Sequence, residues 1–175
     1  MAALPIRLYG DPVLREECAP ADGIDDGVRA LIADLVDSVL EAEGLGLAAP
    51  QIGVPRRVIV VIEPSGEERK YLALVNPEIV SACGEEAAEE GCLSLPGIYE
   101  TVKRPQSVVV KGLDEAGEQV TIEATGMMAR AFCHEIDHLD GVMFVDKIGM
   151  VRKGLLRGKL GGLKKRAKEL KKSLD

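Results

Sequence analysis

Apolar residues between positions 28 and 40 recur at alternating steps of three and one: Val28, Leu31, Ile32, Leu35, Val36, Val39 and Leu40. That spacing lays a stripe along an α-helix. Asp25 or Asp26 stands where a cap is needed, and Gly44 is placed as the residue just past the helix end. From about 57 to 124 the pattern changes to short apolar or alternating runs, 57–62, 71–76, 79–82, 107–112 and 119–124, separated by Pro, Gly and charged clusters. These predict strands, and their close succession favours antiparallel pairing. The segment 113–118 between the last two is a hairpin loop, with Gly117 available for a positive φ. A second helix is expected to start at Thr125 or Gly126, to run through MMARAFCHEIDHLD and to end at Gly141. The last stretch, 152–174, reads as a basic helix weakened by Gly154, Gly158, Gly161 and Gly162. The expected class is α+β, with antiparallel β-sheets packed around the second helix, an N-terminal helix and a basic C-terminal helix.

The 175 residues predict one domain, 1–175, with a core at 1–146 and a helical tail at 147–175. Apolar residues make up 46% of the chain, but the unbroken runs are strand-sized, as in Val58 to Ile62, which excludes a membrane span. The N-terminus has no cationic start followed by an apolar stretch, so the expected location is the cytoplasm. Four cysteines without an export signal or a CxxC pair do not form a disulfide framework or a zinc ribbon, and each must be judged singly. Charge changes the picture more. Residues 1–146 hold 11 Lys and Arg against 27 Asp and Glu, a formal −16, whereas residues 147–175 hold 11 against 2, a formal +9. The tail is therefore where an anionic partner would dock.

The chemistry concentrates in His134-Glu135-Ile136-Asp137-His138. Residues four apart leave one face of a helix, so both imidazoles can converge on one ion while Glu135 reaches a water as general base. Two solvated helix histidines are the plain alternative. The chain has only two histidines, however, and both lie in an otherwise apolar helix that would not bury unpaired imidazoles cheaply.

A catalytic site of this type needs a third protein ligand. After Asp146 the only acids are Glu169 and Asp175, in the basic tail, and an HExxHxxGxxH site fails because position 144 is Phe. Cys92, in Glu89-Glu90-Gly91-Cys92-Leu93-Ser94-Leu95-Pro96, is the better candidate, since a thiolate binds borderline and soft ions well. A buried free cysteine is the competing reading there, and a stronger one for Cys18, Cys83 and Cys133. Gly44-Leu-Gly46-Leu-Ala-Ala49 matches GxGxxA formally, but it follows a helix and meets Pro50 at once, which is the wrong context for a dinucleotide site. Its glycines can instead let backbone approach a ligand while Gln51 offers an amide N–H to developing negative charge.

Taken together, GLGLAAPQIG (44–53), EGCLSLP (90–96) and HEIDHLDG (134–141), with GDPVLR (10–15), resemble the motifs of bacterial peptide deformylases. The resemblance implies a ribosome-associated cytoplasmic hydrolase that removes the formyl group from formyl-methionyl nascent peptides and releases formate, and a monomer is expected. It implies Cys92, His134 and His138 as ligands of one divalent ion, Fe²⁺ in the cell, with Zn²⁺, Ni²⁺ or Co²⁺ able to occupy the site. Glu135 would be base and then acid, and Gln51 with the Leu93 N–H would meet the oxyanion. Gly46 and Gly91 would contact the peptide backbone, and Leu45, Met127, Ala131 and the His134 ring would border the methionine pocket. Arg130 is expected at the pocket rim or as a solvated helix charge, and Asp137 as a helix-fixing carboxylate paired with Arg104. Tyr99 falls where some relatives have arginine, and Cys133 where glutamine is common. The basic tail would touch ribosomal RNA. A peptidase cutting internal bonds and a closed structural metal site are the competing classes.

Overall fold

The run Val58–Ile62 is apolar at every position because both of its faces are covered. The computed structural model describes residues 3–64 and 70–175. Within it, Val58–Ile62 is strand β2 of a five-stranded antiparallel sheet, between β1 (Gly46–Ala48) and β3 (Tyr71–Cys83), with β6 (Ser107–Leu113) and β7 (Gln119–Thr125) beyond. Side chains alternate across a strand. Val58, Val60 and Ile62 accordingly join Leu31, Ile32, Leu35 and Val39 of helix α1 (Asp26–Glu41), while Ile59 and Val61 join Ala129, Phe132, Ile136 and Leu139 of helix α2 (Gly126–Leu139). The α+β class with antiparallel sheet against the HExxH helix is the one expected.

A separate two-stranded ribbon, β4 (Glu86–Gly91) with β5 (Tyr99–Arg104), lies outside that sheet. Neither strand is predicted by the sequence. In β4 the segment EAAEEG lacks β-branched residues, and in β5 the inward-facing set is Glu100, Val102 and Arg104, so its alternation is masked by charge. Strand β1, three residues long and glycine-bearing, is likewise not among the expected strands.

Two predicted strands, 71–76 and 79–82, merge into β3. Asn76 adopts a left-handed backbone (φ 52°) ahead of Pro77, and the ladder to β6 shifts register between Val75 and Glu78 instead of ending. The Asn76 side chain holds this kink by accepting from the Ala21 N–H and donating to the Ala21 carbonyl, both at 2.9 Å. The 113–118 hairpin forms as expected, with Gly117 at φ 85° and Asp114 accepting from the Ala116 and Glu118 N–H groups.

Asp25 caps α1 by accepting from the Val28 N–H at 2.8 Å. The other end differs from expectation: Glu43, not Gly44, takes the left-handed position (φ 53°), with the Glu43 N–H donating to the Leu40 carbonyl and the Gly44 N–H to the Val39 carbonyl. Gly44 is small for another reason, since a Cβ there would stand 2.8 Å from Leu93 Cδ1. The predicted single tail helix is two, α3 (Met150–Leu155) and α4 (Arg157–Leu174). Leu156, Leu160 and Leu163 pack against Tyr9, Leu14, Leu95 and Phe144, so this basic segment is seated on the body.

Candidate metal centre

Helix α2 presents two faces. Ala129, Phe132, Cys133, Ile136 and Leu139 enter the sheet core, and the opposite side carries His134 and His138, with ring centroids 4.9 Å apart. The Phe144 ring stacks on His134 at 6.2 Å. Gly141 (φ 71°) ends the helix, and a Cβ at that position would lie 2.6 Å from the Arg15 carbonyl oxygen. The third ligand candidate comes from the turn after β4. The Leu95 N–H donates back to the Cys92 carbonyl at 2.9 Å, leaving the Cys92 thiol on the corner facing α2. His138 Nε2 is 3.3 Å from Cys92 Sγ and 3.2 Å from His134 Nε2.

The three ligand atoms of Cys92, His134 and His138 lie within 4.8 Å of one another. One thiolate and two imidazoles suit a borderline first-row ion. The other cysteines do not join them: Cys133 and Cys18 are buried in the core cluster against the sheet, where burial raises both thiols, Cys18 to about 11, and Cys83 is exposed on β3.

Glu135 is buried beside this centre. Burial pushes its carboxyl up to about 7, against the opposing pull of a charged His134, and its Oε2 has no hydrogen-bond partner among the described residues. The carboxyl abuts Gly46, where a Cβ would come within 2.6 Å of Oε1. Gln51, in the 3₁₀ turn Ala49–Ile52, accepts from the Ala48 N–H through Oε1 at 2.9 Å. That bond turns its N–H₂ toward Ser94 Oγ (3.1 Å) and Cys92 Sγ (3.6 Å).

Sequence reasoning assigns no role to two residues of this neighbourhood, Ser94 and Glu90. Glu90 accepts from His134 Nδ1 at 2.5 Å and is itself held by Arg104 and Arg130. Its carboxyl stays at about 2: burial opposes ionisation, but the bonds from His134 and Arg104 prevail. Burial lowers both histidines. For His134 the neighbouring Cys92, Glu90 and Glu135 prevail and lift it well above the ordinary value, whereas His138, facing a charged His134 and Arg104, falls well below. Glutamates in an acidic run such as 85–90 look solvated in sequence, which is why Glu90 does not stand out there.

Residues 3–154 match the polypeptide deformylase family model. This chain belongs to that family. It is 46% identical over 160 residues to the peptide deformylase of Thermodesulfovibrio yellowstonii, covering 91% of this chain and 97% of the relative. It is 49% identical over 148 residues to that of Halothermothrix orenii, covering 85% and 95%. Among solved structures, the Legionella pneumophila peptide deformylase superposes with a TM-score of 0.87 at 41% identity, over 94% of this chain and 96% of that one. The Thermus thermophilus peptide deformylase gives 0.87 at 40% identity, over 94% and 99%.

Around this deformylase-family centre, Met127, Ala131, His134 and His138 follow one another at helical spacing on a single face of α2. Met127 (59% exposed) and Leu45 (49% exposed) are apolar side chains open to solvent, Ala131 is half-buried, and Gly46 and Gly91 are half-buried on β1 and β4. Tyr99 is exposed, and its ring covers Gly91 so closely that a Cβ there would meet Cε1 at 2.6 Å. Asp137 pairs with Arg104 at 2.5 Å, as expected. Arg130 is not a solvated helix charge, since it turns to Glu90 Oε2 (3.0 Å), Val102 O (2.9 Å) and Glu86 O (2.9 Å).

Proposed function

We propose that this chain removes the N-terminal formyl group from formyl-methionyl nascent peptides, with Cys92, His134 and His138 holding one divalent ion. The observation that carries the reading is the convergence of those three ligand atoms beside a buried carboxyl, Glu135. Two details support metal occupancy: His134 Nδ1 is engaged by Glu90, which leaves Nε2 for an ion, and the buried cluster of donors would otherwise crowd lone pairs together. Such an ion supplies Lewis acidity, polarising the formyl carbonyl and making water acidic near neutrality.

The protein's own groups do the rest. Glu135, raised by burial toward neutrality, takes a proton from the attacking water and returns it to the departing amine. The Gln51 N–H₂, fixed by the bond from the Ala48 N–H to its Oε1, and the Leu93 N–H donate to the oxyanion. Gly46 and Gly91 present their backbone to the substrate backbone, and their missing side chains leave room for the Glu135 carboxyl and the Tyr99 ring. Leu45, Met127, Ala131 and the His134 ring take the methionine side chain. The resemblance supports Fe²⁺ as the cellular ion, a monomer, a cytoplasmic location and one domain spanning 1–175. Metal analysis after anaerobic isolation, light scattering, cell fractionation and a single unfolding transition would each bear on these, and a different ion, a dimer, a membrane fraction or two transitions would overturn them.

The deciding experiment is anaerobic formate release from a formyl-Met-Ala peptide by the Ni²⁺- or Fe²⁺-loaded protein, alongside Glu135→Gln. Wild type releases formate, and the still-metallated variant is slower by about 10²-fold or more. Peptide fragments in place of formate would make it an internal peptidase, and no turnover by a folded, metallated wild type would sink the reading.

A further inference from the structure

Helices α3 and α4 run on from one another, since Leu156 between them keeps a right-handed helical backbone and its carbonyl accepts from the Leu160 N–H at 2.9 Å. Residues seven apart along such a run lie on nearly the same side. Met150, Arg157 and Lys164 therefore share a side with Gly154 and Gly161, and between that side and Tyr9 lies a cavity of about 540 Å³. A Cβ on Gly154 or Gly161 would meet nothing within 4 Å, so the two glycines keep this space open. Toward α4 the cavity is bounded by a close contact. A Cβ at Gly10 would stand 2.8 Å from Lys164 Cα, and Lys164 Nζ lies 5.6 Å from the centroid of the Tyr9 ring, as a cation over its face. Toward α3 it is bounded by Lys153, which donates to Asp146 at 3.1 Å.

We infer that this cavity binds an organic phosphate of nucleotide size, with its phosphoryl group between Arg157 and Lys164 and its apolar ring system under Met150. Charge carries the first half of the assignment. Lys153 is met by Asp146, but among the described residues Arg157 and Lys164 form no ion pair, and no carboxylate lines the cavity. A guanidinium fork beside an ammonium is a donor set suited to a phosphoryl group. Apolar surface carries the second half. Met150 is 91% exposed, whereas Leu160 beside the cavity is 6% exposed, so a flat apolar group laid on Leu160 would cover Met150 from water. A bare inorganic anion would leave Met150 as exposed as before. A purely apolar ligand would strip water from two cations without pairing them. The volume lies within the range of about 300–1,000 Å³ usual for small-molecule sites. None of these side chains belongs to the metal centre, so the assignment does not depend on the hydrolytic reading.

The test titrates the full-length, zinc-loaded protein, labelled with ¹³C on its five methionine methyls, with adenosine 5′-monophosphate, inorganic phosphate and adenosine. In wild type the nucleotide should shift the Met150 methyl signal, leave that of Met127 beside the metal centre in place, and bind about tenfold or more tighter than phosphate or adenosine alone. Arg157→Gln and Lys164→Gln should each weaken the nucleotide by about tenfold. Met150→Ser should weaken the nucleotide severalfold and leave phosphate unchanged. Lys159→Gln removes the same charge from α4 outside the cavity, and its affinity should stay within about twofold of wild type. Unchanged unfolding midpoints establish that the variants keep the fold. Three outcomes would overturn the assignment. They are a Met150 signal that does not move, a nucleotide bound no tighter than phosphate, and a loss in Lys159→Gln equal to that in Arg157→Gln, which would mean diffuse attraction to the basic segment as a whole.

Discussion

A methyl group at position 46 would stand 2.6 Å from a carboxylate oxygen of Glu135 and 2.9 Å from its Cγ. Gly46→Ala therefore tests how finely the base is placed. The carboxyl must shift by a few tenths of an ångström or more, and misplacement of a reacting group on that scale costs rate far more than stability. We expect formate release to fall on the order of tenfold to a hundredfold while the thermal midpoint moves little, as read by paired kinetics and calorimetry. A variant with full activity would show that Glu135 has slack. The same residue scale explains what sequence can and cannot expose. The spacing of His134 and His138 is a helix property, so it is readable from the chain alone. The partner of each ring is a matter of which side chains fold against it from elsewhere. Cys92 is recovered because thiolates suit the chemistry, but Glu90, one of several acids in a row, carries no local mark that distinguishes it from its solvated neighbour Glu89.

The elements divide in the same way. Helices α1 and α2 and strands β2, β6 and β7 announce themselves because each buries an apolar face whose period survives in the sequence. The β4–β5 ribbon does not, since its inward positions include Glu100, Arg104 and Glu90, residues that read as surface until their partners are known. The end of α1 is another such case. A glycine one position later draws the expectation, yet Glu43 bears the left-handed backbone, and an L side chain there costs about 1–2 kcal/mol. Glu43→Gly should raise stability by roughly 0.5–1 kcal/mol, because relief of that strain is partly offset by the greater unfolded-state freedom of glycine. Denaturant titration checks this, and a loss of stability would show that Glu43 contributes more than its backbone geometry indicates.

For the molecule as a whole, charge is partitioned: an acidic body and a basic last segment, with α4 seated through Leu160, Leu163 and Ala167 and turning Lys165, Arg166 and Lys168 outward. The resemblance supports docking of this helix on ribosomal RNA. Deleting it would also uncover the Tyr9 and Leu14 cluster, so charge reversal is the cleaner experiment. Replacing Lys165, Arg166 and Lys168 by Glu should abolish salt-sensitive ribosome binding in a sedimentation assay while turnover of a free formyl peptide stays near wild type. Binding that persists would assign the contact to another surface.

The seat of α4 also sets an order of events during synthesis. Gly10 leaves room for the Lys164 backbone, whose Cα would lie 2.8 Å from a Cβ at position 10, and Tyr9 and Leu14 share one cluster with Leu160 and Leu163. These partners lie far apart in the sequence and so emerge from the ribosome at widely separated times. The sheet and α1 can assemble while the chain is still being made, but the apolar surface around Tyr9 must wait, uncovered, for α4. Closing contacts of such long range is slow and leaves sticky surface exposed meanwhile. Helix α4 is thus the cover for this surface, and a pause or truncation shortly before residue 156 would leave it bare and the chain prone to aggregate.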